Sequence, residues 1–312
     1  MYEVPPVGAL ANMVIFADRD RERASHSVLC DFTWYNRCKE TRVGISDFMQ
    51  PQNATIDLSK PPVVETVLGI QFADLASWTT VHHGLFYSMI RGEFPKFRLL
   101  PEQPAIVETF PPSPRGIRFG LTDQPGPDCA SFLNENETQL IRIQRNRFSH
   151  HWVGLPDGTY PHYAANSQVC GDLLQRFERF CHDEKVGTIA PVLCEVIYTN
   201  EIHSQANQTI PELLLEVFGA DLGEFELATL NRTYVLGKNQ GRLYAEINNA
   251  NKGEQKILQL KLTARVRHER EDPRRTVHDA MDTLSKGHDW IIEYFLKLTN
   301  KRVRVDQWGS NE

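Results

Sequence analysis

Apolar and polar positions along this chain follow two rhythms, and their alternation predicts its elements. After the Pro61-Pro62 pair, residues 63–72 are rich in β-branched side chains and predict a strand. Residues 78–97 predict a helix, with Val81, Leu85, Met89, Ile90 and Phe94 at helical spacing. A proline-dense connector occupies residues 101–114, with a short extended piece at 105–110. A strand is expected at 117–121 and a turn at 124–128. Residues 130–133 and 139–148 predict a hairpin around Asn134 to Glu137. A second helix is expected at 161–185, with Leu173, Leu174, Phe177, Phe180 and Cys181 as its apolar stripe and Gly187 as its stop. A strand at 191–200 and a short helix at 212–218 follow.

The last third carries the clearest pattern. Residues 225–236, 242–248 and 257–267 predict three strands separated by turn-forming sequence. In the third, Leu258, Leu260, Leu262, Ala264 and Val266 alternate with Gln259, Lys261, Thr263 and Arg265, as in a strand with one wet face. A helix is expected at 275–298, lined by Val277, Met281, Leu284, His288, Ile291, Ile292, Phe295 and Leu298. The order of elements predicts an α+β fold, with antiparallel sheet covered by three long helices. Two similar α+β halves, 58–205 and 206–312, are expected, with a boundary near 203–211. Residues 1–57 lack sustained periodicity and are expected to form a poorly structured N-terminal extension, with Met49 as the true start of translation.

Composition narrows the class. The chain has 312 residues, 41% of them hydrophobic and 24% charged, which suits a globular protein with a sizeable core. A net charge of −6 argues against coating nucleic acid or anionic membrane through bulk charge. No run approaches the roughly 18 apolar residues of a membrane span, and no basic region precedes the short apolar stretch near the N-terminus. The six cysteines, at 30, 38, 129, 170, 181 and 194, form no Cys-x-x-Cys pair. They read as free thiols in a reducing cytoplasm.

Several short motifs occur together: Pro61-Pro62-Val63-Val64-Glu65; Gly84-Leu85-Phe86 and Glu93-Phe94-Pro95; Ile143 to Phe148 and Trp152; Tyr160-Pro161; Cys194-Glu195-Val196 to Asn200; and Gly287-His288-Asp289-Trp290-Ile291. With these, the segment from Leu58 to the C-terminus resembles a sporadically distributed prokaryotic family of uncharacterised proteins. His151 stands where the family pattern favours asparagine. The resemblance implies domain limits and the start at Met49, and no mechanism.

Charges in the expected strands point to a candidate site. Glu65 shares a strand face with Val63 and Val67, and Glu195 shares one with Leu193 and Ile197. In residues 139–148, Arg145 and Arg147 continue the face of Ile141 and Ile143 unless a bulge resets the register. An unpartnered buried carboxylate costs several kcal/mol, so Glu65 and Glu195 are expected to meet Arg145 or Arg147 across the sheet. Such a cluster serves either as a buried ion network or as a pocket for a small polar or anionic ligand. Arg145, Arg147, Phe148, His150, His151 and Trp152 also interleave basic and aromatic groups, a composition able to grip single-stranded nucleic acid. Arg265, Arg267, Arg270, Arg274 and Arg275, interrupted by acids, read as a solvated connection.

His82-His83, His150-His151, His278 and His288 lack metal-ligand spacing, so no metal is expected, nor any cofactor. No phosphate-binding glycine loop, nucleophile elbow or zinc-protease motif occurs. The reading that follows is a cytoplasmic, non-catalytic binding or accessory protein, with a protein partner or a small polar ligand and no membrane. The alternatives are an enzyme acting on a small polar substrate at the Glu/Arg cluster, and a nucleic-acid binder.

Overall fold

The computed structural model describes residues 58–112, 128–155, 158–203, 229–252, 255–268 and 276–311. The expected start at Met49, the strand at 117–121, the helix at 212–218, Arg270, Arg274, Arg275, Cys30 and Cys38 lie outside the described residues.

The fold is α+β. Nine strands, β1 (Val63–Phe72), β2 (Lys96–Pro101), β3 (Asp128–Leu133), β4 (Gln139–Gln144), β5 (Arg147–Val153), β6 (Pro191–His203), β7 (Thr229–Leu236), β8 (Gly241–Lys252) and β9 (Gln255–Arg267), form one sheet in the order β2-β3-β4-β5-β1-β6-β9-β8-β7. Every neighbouring pair is antiparallel. The strands before residue 203 and those after 229 belong to this same sheet, joined by the long ladder between β6 and β9. Four helices are described: α1 (Thr80–Ile90), α2 (His162–Asp183), α3 (Val277–Leu298) and α4 (Lys301–Trp308).

The expectation of three long helices is corrected, because only α2 and α3 reach 22 residues. Helix α1 stops after 11 residues. Gly92 lowers helix propensity, and Pro95 disfavours helical backbone at the residue before it. The chain turns there, Tyr87 donates to the Pro95 carbonyl at 2.6 Å, and the edge strand β2 begins at once. The expected apolar stripe at 78–97 is corrected in part, since its Ile90 and Phe94 are buried as expected. Val81, Leu85 and Met89 are exposed, while His83, Phe86 and Ile90 are buried. Helices α2 and α3 keep their expected stripes: Leu173, Leu174, Phe177, Phe180 and Cys181 are buried, as are Leu284, Ile291, Phe295 and Leu298. The tail past Asn300 is a fourth helix. Its Arg304 donates to the Leu296 and Thr299 carbonyls at 3.0 and 2.6 Å, satisfying acceptors that the end of α3 leaves over.

Residues 139–148 are two strands, β4 and β5, not one. The turn is Arg145-Asn146, with no glycine or proline to announce it. It is held from outside: Phe72 and Leu75 donate backbone N–H groups to the Asn146 and Arg145 carbonyls at 3.0 and 2.9 Å, and the Asn146 amide donates to Asp74 at 2.9 Å. The reversal puts Ile141 and Ile143 on one face with Phe148, and Arg147 on the other.

The two faces of the sheet differ in chemistry. Leu68, Ile70, Phe148, Cys194, Val196, Leu262, Ala264 and Leu243 lie on the face covered by α2 and α3 and belong to the buried core. The opposite face carries Glu65, Gln71, Arg147, Glu195, Lys261, Arg265, Arg242 and Tyr244. Among the described residues no helix is long and apolar enough to cross a membrane.

Candidate functional site

A strap, residues 102–110, crosses the polar face of the sheet. Among the described residues it has no strand neighbour of its own, so its backbone groups need other partners. Two glutamines supply them. Gln144 on β4 accepts from the Gln103 N–H at 3.1 Å and donates to the Gln103 carbonyl at 2.9 Å. Gln71 on β1 accepts from the Ile106 N–H at 2.6 Å and donates to the Ile106 carbonyl at 3.0 Å. Each side-chain amide thus mimics a β-ladder partner for one strap residue.

The far end of the strap is anchored by charge. The Glu108 side chain is 1% exposed and receives Arg242, 6% exposed, together with the Tyr244 hydroxyl at 2.7 Å. Arg265 stands 3.4 Å away. Arg242 also lies over the Phe110 ring, 4.0 Å from its centroid, and donates to the Thr109 carbonyl. Burial, then the Glu108 carboxylate, push the Tyr244 phenol above its ordinary value.

Between its two anchors the strap roofs a cavity of about 440 Å³. Gln103, Pro104, Ala105 and Ile106 form the roof. The floor is Arg147 of β5, Glu195 and Ile197 of β6, Tyr244 and Glu246 of β8, and Lys261, Thr263 and Arg265 of β9. The charges are mostly matched. The Arg265 Nε donates to Glu195 at 2.7 Å, and Lys261 sits 3.5 Å from Glu246. Burial weighs most against the Arg265 cation, but Glu195, Tyr244 and Glu108 together offset it, and its pKa stands above the ordinary value.

Arg147 differs. Its guanidinium donates to Gln103 at 2.8 Å, to the Pro104 carbonyl at 3.1 Å and to Gln71 at 3.2 Å, all neutral acceptors. Its Nε is buried with no acceptor. Burial pulls its pKa below the ordinary value, and the attraction of Glu195 offsets this only in part.

Of the four residues singled out from the sequence, Arg147 and Glu195 meet at this cavity. The other two do not. Arg145 sits in the β4–β5 turn, 43% exposed, and pairs with Glu102 at 2.9 Å and Asp74 at 3.5 Å. The Glu65 side chain is 39% exposed and lies 3.7 Å from His151 Nδ1, with the Thr199 hydroxyl donating at 3.3 Å. Burial pushes the His151 imidazole down against the opposing pull of Glu65, and its Nε2 lies 3.0 Å from the Ser149 hydroxyl. The expected pairing of both glutamates with Arg145 or Arg147 is therefore corrected: each carboxylate has a different partner, because the turn at 145–146 moves Arg145 off the strand.

The nucleic-acid reading meets a geometric obstacle. Phe148, His150 and Trp152 point to the helix-covered face and are 0%, 1% and 8% exposed, so their rings cannot stack on bases. Arg265 lies on β9, within the expected strand, but it is paired with Glu195 rather than part of a solvated connection. Among the described residues no group of three or more His, Cys, Asp or Glu converges as a metal cage would need. Cys129, Cys170, Cys181 and Cys194 are buried free thiols, and burial pushes Cys170 and Cys181 up to about 12.

Sequence reasoning missed Glu108, Arg242, Tyr244 and the clip glutamines Gln71 and Gln144. One signal was readable: Arg242, Tyr244 and Glu246 alternate on β8 as Lys261, Thr263 and Arg265 alternate on β9, and a tight hairpin sets such faces side by side. Nothing local marks Glu108. The chain matches no protein-family model and no curated protein.

Proposed function

We propose that this chain is a non-catalytic binding protein that holds a small polar ligand in the cleft between the strap and the sheet. The observation that carries the reading is the cleft itself. It has a volume of about 440 Å³ and is lined by polar and charged side chains from four strands. That volume falls within the range of small-molecule sites, roughly 300–1,000 Å³. Catalysis at the Glu/Arg cluster is the weaker reading. Both carboxylates among the described lining residues are already engaged by cations, Glu195 by Arg265 and Glu246 by Lys261. Such pairing suits fixed recognition better than proton transfer. The family resemblance brings no activity of its own, so the reading rests on the cleft.

A screen of small polar compounds by thermal shift tests it. Hits should lose their effect in Ile197→Trp, which fills the cleft from its floor without removing a charge, while circular dichroism stays that of the parent. Hits that survive this substitution overturn the reading.

A further inference from the structure

Among the described lining residues of the cleft, cations outnumber acids by one. Three cationic and two acidic side chains are among its described lining residues. The two acids are matched within ion-pair distance, Glu195 by Arg265 at 2.7 Å and Glu246 by Lys261 at 3.5 Å. Arg147 is left over. Among the described residues no carboxylate lies within 4 Å of its guanidinium, which is held by neutral acceptors alone, with one N–H buried and unsatisfied. A partly desolvated charge whose nearest described carboxylates lie beyond ion-pair distance is under-compensated, and the cost is relieved when an anion arrives. An arginine fork is also the side chain best shaped for a carboxylate or phosphate.

We infer that the cleft selects a small anion, one bearing a carboxylate or a phosphate, whose charged group sits against Arg147. This rests on the cleft being the binding site and adds the chemical class of its occupant. Strap and anion share the same guanidinium, since Arg147 also donates to Gln103 and the Pro104 carbonyl in the roof. Anion binding therefore stiffens the roof as well as filling the cleft.

The test uses the full chain at low salt, with benzoate and inorganic phosphate as anionic probes and benzamide as the neutral control. Calorimetry should give benzoate or phosphate an affinity at least about tenfold above benzamide, the scale of one charged hydrogen-bonded contact. Arg147→Met should remove that advantage, and Arg147→Lys should keep part of it. If Arg147→Met does not fold, Ile197→Glu carries the test by placing a fixed carboxylate on the cleft floor, and it too should abolish the preference. Failure of both anions to bind at tens of millimolar overturns the inference. Benzamide binding as tightly as benzoate, with Arg147→Met changing neither, overturns it as well. In that last case, probe binding blocked by Ile197→Trp leaves the cleft reading standing. Binding that Ile197→Trp does not block removes both.

Discussion

His150 is 1% exposed and lies between Leu68 and Ile141 on the neighbouring strands. Burial pushes its pKa down from 6.5 to about 4. The folded protein therefore refuses a proton that the unfolded chain accepts. Stability from this group is fully present above about pH 6.5 and is lost as pH falls towards 4, by about 3 kcal/mol at most. Urea unfolding at pH 7.5 and pH 4.5 should show a lower midpoint at the acid value, and His150→Leu should shrink that difference, leaving the share of His288, which burial also pushes down to about 4. An unchanged difference would remove His150 as its source. At this scale the sequence did flag unusual residues. Charged groups on strands of alternating pattern are rare enough to stand out, and Arg147 and Glu195 were found that way. Their partners were not legible. Arg265 reaches Glu195 from 70 positions away, and no local rule connects them.

Elements divide by how far their stability is local. The stripes of α2 and α3 were readable because long amphipathic helices bury one face against any sheet. Helix α1 was not, since its packing partner sits on one side and leaves Val81, Leu85 and Met89 in solvent. The β4–β5 turn was invisible because backbone donors from 72 and 75 hold it, not turn-forming residues. Close approach of α3 to the sheet gives a sharper element-scale test. A Cβ on Gly287 would stand 2.9 Å from the Val196 Cγ2. Val196 is β-branched and buried, so it cannot swing away. Gly287→Val should destabilise the fold by about 1–3 kcal/mol, the range for overpacking, despite relieving the helix of a glycine. A melting temperature at or above the parent's would show that α3 can lift without cost.

Across the whole molecule, one sheet with a dry face and a strapped face organises everything described. The dry face carries the core, while the strapped face carries the candidate chemistry. The strap's order is predicted to depend on side-chain clips rather than on a ladder. Gln71→Ala should speed hydrogen exchange at the Ile106 amide by at least about tenfold, the loss of one hydrogen bond near 1.4 kcal/mol, and leave the amides of β6 and β9 protected. Equal protection of Ile106 in both proteins would mean the strap is held by its ends alone.

Periodicity determined, without any structure, that this chain is α+β, that residues 63–72 and 257–267 are strands and that the helices at 161–185 and 275–298 are amphipathic, while the third long helix expected at 78–97 ends after 11 residues. Those features depend on side-chain spacing within a dozen residues, and spacing is written in the chain. The single nine-stranded sheet, the strap clipped by Gln71 and Gln144, the Glu108–Arg242 anchor and the neutral acceptors around Arg147 were decided only by tertiary structure. Each joins residues dozens to more than a hundred positions apart. Polar groups take whichever partner folding brings within reach, and one sequence read along its length does not say which that will be.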